Sequence, residues 1–339
     1  MNRKDFLKAM ALLPLGAAAM KLNTLHSLTD NLAPTERMPV LFLGHGNPMN
    51  AIDDNIFTQG FQAVAKTLPK PRAILCISAH WETRGTFVTA MQQPQTIHDF
   101  GGFPQALFDV QYPAPGSPDL ALETQKLITS TQVGLNEDWG LDHGCWTVVK
   151  FLYPNADIPV IEMSMDYTKG PEYHYALGKE LSALRRKGVL IIGSGNTVHN
   201  LRMAAWDKMM VPGYAFDWAT TANEKLKNLI TKGDHKSLIR YDQLGKEVQM
   251  SIPTPEHYLP LLPFSVTIEL KIKVAPLNSL PVPFFTSSSK AEISYWMEVW
   301  FQYNSCMGDA FYHVHKHLLC GRQRIQLYFL HSRGRVYPD

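Results

Sequence analysis

Three apolar runs in this chain finish on, or just before, an imidazole: LFLGHGNP delivers His45, ILCISAHW delivers His80 and LIIGSGNTVHN delivers His199. Imidazole nitrogens ligate zinc, iron and copper, and a metal that keeps an open position can activate water or dioxygen. Three more histidines sit in Gly- or Pro-flanked settings: His98 in TIHDFGGFP, His143 in GLDHGCWTV and His257 in PTPEHYLPLL. Glycine beside an imidazole lets backbone and substrate come close. His174, on a charged helical segment, and His235, in TKGDHKS, read as solvated. HVHKH, residues 313–317, alternates histidines at strand spacing and could chelate a metal, but it lies in a tail of atypical texture.

The elements that would hold these groups alternate. PVLFLG, AILCIS, IPVIEMSM and VLIIGSG read as buried strands, separated by amphipathic segments at helical spacing. Ser117 and Pro118 make a good helix start, and Gly188 a good helix stop. Strands alternating with helices predict a single α/β domain, a mostly parallel central sheet with helices on both faces. In such sheets ligands bind beyond the carboxyl ends of the strands, so parallel strands would bring His45, His80 and His199 to one edge.

The whole chain sets few further limits. Its 339 residues are 45% hydrophobic and 18% charged with a net charge of +2, and no basic stripe points to nucleic acid. Four scattered cysteines without a C-x-x-C pair do not suggest a disulfide framework, and Cys76 reads as a small buried hydrophobe. MNRKDFLKAMALLPLGAAAM has the shape of an export signal too short to span a membrane, and resembles a twin-arginine signal with Lys4 in place of the second arginine. The other reading is an amphipathic N-terminal helix on a cytoplasmic enzyme. No stable membrane insertion is expected, and the oligomeric state is open.

FLGHGNPMNA, ISAHWETRGT, TIHDFGGFPQALFDVQYPAPGSP, GLDHGCWTVV, GSGNTVHNLR and PTPEHYLPLL, in that order, resemble the DOPA extradiol dioxygenases, class III ring-cleavage enzymes related to the protocatechuate 4,5-dioxygenases. The resemblance implies a mononuclear metal site on His45, His80, His199 and His257. His199 serves either as a ligand or as an acid/base group. It also implies that His143 stands over the substrate as proton donor or acceptor, and that His98 and Asp99 line the pocket. The expected reaction opens a catechol such as DOPA with O2 to a semialdehyde. Fe2+ is expected for activity; Zn2+ can fill such a site but is redox-inert.

The chain departs from the family pattern at Asn47, where serine is common, and at Glu82, where an aromatic is usual. These two positions are expected near the metal. The resemblance ends near Leu262, which divides the chain into a signal-like segment 1–36, a catalytic domain 37–262 and a tail 263–339. The tail's composition suggests a reading-frame shift near codon 263. Two other function classes suit the same histidines: a zinc-dependent hydrolase with Glu256 as general base, and a non-catalytic metal-binding protein.

Overall fold

The computed structural model describes residues 37–208 and 214–265, together with the backbone of 313–320 and 323–330. The N-terminal signal-like segment and most of the tail lie outside the described residues. Six strands form one sheet: β1 (Val40–Gly44), β2 (Ala73–Thr83), β3 (Thr86–Thr89), β4 (Val133–Asn136), β5 (Val160–Asp166) and β6 (Val189–Gly195). Their spatial order is β1-β6-β2-β5-β3-β4. The first four in that order run parallel, Val40 standing opposite Ile191 and Ile74 opposite both Leu190 and Val160. β3 joins β5 antiparallel, through Val88 opposite Met163, and β4 lies parallel to β3.

The period of two along each apolar run decides which face a residue serves. Val40, Phe42, Leu75, Ile77, Val189 and Ile191 enter one core; Leu41, Leu43, Ile74, Cys76, Leu190 and Ile192 enter the other. On the second face the partners are helices α1 (Ile56–Ala65) and α4 (His143–Leu152), through Phe61, Val64, Trp146, Val149 and Leu152. On the first face they are α3 (Pro118–Leu127), α5 (Pro171–Leu181), α6 (Asp217–Lys232) and α9 (Leu261–Ser265). The single turn α2 (Gln105–Phe108) and the short α7 (His235–Ile239) and α8 (Lys246–Ser251) complete the helices among the described residues. The expected α/β sheet with helices on both faces is therefore present.

Helix boundaries follow their caps. Asn55 and Thr58 close a capping box at α1, and Ser117 accepts from the Leu120 N–H at the start of α3. α5 tightens into a 3-10 segment, Ser182–Lys187, and stops at Gly188 in the left-handed region (φ 82°).

Two expectations need correction. His174 is not solvated: it is 2% exposed, and burial pulls its pKa down to about 4. The charged residues around it (Glu172, Lys179, Glu180) suggested an exposed helix, but His174 occupies the inward stripe with Leu177 and Leu181. His235 is likewise half-buried, its ring edge-on to Tyr175.

In the tail, β7 (His313–Cys320) and β8 (Gln323–Leu330) pair antiparallel, so HVHKH lies on a strand as its alternation predicted. No helix among the described residues is long and apolar enough to cross a membrane.

Candidate metal centre and active site

Three of the four expected ligand histidines meet at one edge of the sheet. His45 follows β1 directly and is 1% exposed. His80 was expected just past the end of its strand; it lies within β2, at an irregularity. The β2–β5 register breaks between Ile77, opposite Met163, and Glu82, opposite Met165. A bulge of this kind re-aims side chains, and here it turns the His80 ring toward His45, Nε2 to Nε2 at 3.1 Å. Ser78 helps hold the bulge, accepting from the His80 N–H (3.2 Å) and donating to Asp142 (2.7 Å).

His257 arrives from a distant segment that settles directly onto β6. The Asn196 N–H donates to the His257 carbonyl at 2.8 Å. A Cβ on Gly195 would stand 2.2 Å from that carbonyl oxygen, so only glycine allows the approach. One ligand atom from each of His45, His80 and His257 falls within 4.8 Å of the others.

The outer nitrogens of these rings are all occupied. His45 Nδ1 lies 2.9 Å from Ser194 Oγ, His80 Nδ1 lies 3.4 Å from an Asp99 oxygen, and His257 Nδ1 lies 3.2 Å from Glu256 Oε1. A carboxylate can only accept, so Nδ1 of His80 and of His257 carries hydrogen and Nε2 keeps the lone pair. Burial, reinforced by the neighbouring rings, lowers all three pKa values: His80 to about 2, His257 to about 4, and His45 well below its ordinary value. Neutral imidazoles with bare Nε2 atoms crowded together repel one another without a cation between them. The donor set therefore fits one metal ion, with ring orientation fixed by outer partners as in characterised metal sites.

His199 stands apart from this trio. It lies in the loop after β6, its ring stacked on His257 with centroids 3.5 Å apart and Nδ1 3.6 Å from Glu256. Glu256, His199 and His257 form a second group of possible ligands. The two histidines' bonds outweigh burial and hold the Glu256 carboxyl well below its ordinary range.

His143 is the first residue of α4, its ring centroid 3.8 Å from that of His80. Asp99 grips it twice, accepting from its backbone N–H at 2.8 Å and from Nδ1 at 2.9 Å. Burial would raise the Asp99 pKa, but the bonds from His143 bring it below the usual value. Asp99 was expected to line the pocket; the structure shows its carboxylate orienting His143 and facing His80. His98 donates from Nε2 to the Val110 carbonyl (3.0 Å) and packs among Phe100, Phe108 and Trp146. It belongs to an aromatic wall that reaches His143 through Phe100.

Several contributors carry no obvious mark in the sequence. Asp142 caps α4 and is wholly buried, with Glu162 accepting its N–H at 2.8 Å. Burial raises both carboxyls, Glu162 well above its ordinary value. Ser194, between two glycines in GSGN, and Asn50, which donates to the His45 carbonyl, read only as parts of a strand and a loop. Asn47 caps a short turn by accepting from the Met49 N–H, and Glu82 is exposed. An apolar cleft lined by Val198, Met203, Tyr214, Phe216 and Trp218 begins on either side of His199 in the chain.

Residues 39–262 match the family described as the catalytic LigB subunit of aromatic ring-opening dioxygenase. The chain belongs to the LigB family. A 4,5-DOPA dioxygenase extradiol of Escherichia coli K12 is 50% identical over 238 residues, covering 69% of this chain and 86% of the relative. One from Beta vulgaris is 37% identical over 238 residues, covering 68% and 85%. The crystal structure of an uncharacterized Escherichia coli K12 protein, 41% identical, superposes with a TM-score of 0.59 over 69% of this chain and 91% of that one. Membership in LigB makes the chain an extradiol ring-opening dioxygenase, with a small aromatic substrate, O2 and a metal at the histidine cluster.

Proposed function

We propose that this enzyme opens the ring of a catechol, DOPA or a close analogue, using Fe2+ held by Nε2 of His45, His80 and His257. The carrying observation is the three-ring convergence beside His143. A ferrous ion there would supply the redox chemistry that lets dioxygen react with an aromatic diol; zinc lacks it. The named relatives from Escherichia coli and Beta vulgaris support the choice of DOPA.

The chain's own residues manage protons and water. A catechol must lose protons to bind through both oxygens, which calls for bases that work near neutral pH. His143 offers Nε2 for that purpose, since Asp99 holds the hydrogen on Nδ1. The same carboxylate stabilises the imidazolium once the proton has arrived, as the third member of a catalytic triad does. His199, stacked on His257 and facing Glu256, is a second proton carrier. Phe100, Phe108 and Trp146 make an apolar wall for the ring and keep water from the reacting carbon.

A hydrolase would need Glu256 free to take a proton from water, and here it is engaged by His257 and faces His199. The deciding measurement is oxygen uptake after anaerobic Fe2+ reconstitution, with DOPA and simple catechols as substrates. Uptake with a yellow product is expected from DOPA, and the Zn2+-loaded enzyme should be silent. Iron-loaded enzyme that consumes no oxygen with any catechol would overturn the assignment.

A further inference from the structure

The proton on Ser194 has only one place to go. Ser194 Oγ lies 2.5 Å from the carbonyl oxygen of Gly144, and a carbonyl can only accept. The hydroxyl hydrogen is therefore committed to Gly144, and toward His45 Nδ1, 2.9 Å away, Ser194 presents a lone pair. The reverse arrangement would set two oxygen lone pairs against each other at 2.5 Å inside a buried site, where Ser194 is 0% exposed. His45 must then donate from Nδ1, and its Nε2 is left bare on the side facing His80.

We propose that Ser194 is a positioning residue that locks His45 in the tautomer able to bind the metal, using the carbonyl of the first turn of α4 to fix the direction of its own hydroxyl. The other two rings of the trio rest on carboxylates, Asp99 and Glu256, which can only accept. A neutral hydroxyl is ambivalent by itself and becomes an obligate acceptor only through Gly144. The placement is specific. β6 aims Ser194 Oγ across at His45 and α4, while Gly193 and Gly195 on either side let the 257–260 backbone press against the strand. The device also ties a metal ligand to the helix turn that begins with His143.

This inference rests on the reading of His45 as a ligand, so the test starts from the parent enzyme. Zn2+ affinity is measured by chelator competition for the parent, His45→Ala, Ser194→Ala and Ser194→Thr. In parallel, 15N-labelled parent enzyme is examined in its metal-free and Zn2+-loaded forms for the imidazole hydrogen of His45. The expected results are a hydrogen on Nδ1 of His45 in the parent and an affinity loss of about 10- to 100-fold in Ser194→Ala. Recovery is expected in Ser194→Thr, which keeps the hydroxyl. A parent in which His45 carries hydrogen on Nε2 sinks the proposal without any variant being needed. Unchanged affinity in Ser194→Ala, when His45→Ala has lost it, sinks the proposal and leaves the ligand reading standing. Tight binding retained by His45→Ala overturns both.

Discussion

Because Asp99 takes both the backbone N–H and the ring N–H of His143, the orientation and tautomer of this imidazole are set by one side chain. His143→Ala should leave Zn2+ binding within about twofold of the parent and lower kcat by about 10²- to 10⁴-fold. Metal analysis together with oxygen uptake checks this, and loss of metal would put His143 among the ligands. His174 lends itself to a test by pH. Its pKa falls from 6.5 in the unfolded chain to about 4 in the fold, so the unfolded state binds the extra proton between those values. Its contribution to stability is therefore intact above pH 6.5 and lost as pH falls toward 4, by up to about 3 kcal/mol. Denaturant titrations of the metal-loaded enzyme at pH 7 and pH 4.5 should show a smaller acid loss in His174→Gln than in the parent. An equal loss in both would deny His174 the role.

At the level of elements, Gly195 decides whether His257 can reach the site. Gly195→Ala would push the 257–260 backbone off β6, with a stability loss of about 1–3 kcal/mol. Metal affinity should fall alongside, and a thermal melt paired with chelator competition reads both. Unchanged affinity would show that the segment is placed by something other than this contact. The long strands were legible because each is an uninterrupted apolar run. β3 and β4 were not, since four residues such as TFVT or VGLN carry too short a pattern to stand out from a loop. The bulge that turns His80 inward was equally hidden. It depends on how β2 pairs with β5, a partner more than seventy residues away in the chain. His174 misled because flanking charges hid its place on the inward stripe, whereas the cluster of His45, His80 and His257 followed from strand ends and a family resemblance together. Ser194 and the buried Asp142–Glu162 contact could not be found this way, as their meaning lies in what crosses between elements.

For the molecule as a whole, the family match stops at Leu262, and the packed core runs on through α9, whose Pro263 backbone sits where a Cβ on Gly178 would be. A shift of reading frame near codon 263 predicts that the gene, translated in another frame from that codon, encodes a closing Gly-Ser-Leu-x-Met strand. Sequencing the gene settles it, and if no frame encodes such a strand the tail is a genuine extension. The three imidazoles that meet at the sheet edge also come from widely separated stretches, His45 near one end of the matched region and His257 near the other. During synthesis the ribosome delivers two of them early, and those two alone offer a metal only a pair of nitrogens. A nascent chain thus has no complete cage for a metal ion until its last helices are made, so an ion held at full strength certifies that translation has passed His257 and that the ends of the domain have found each other.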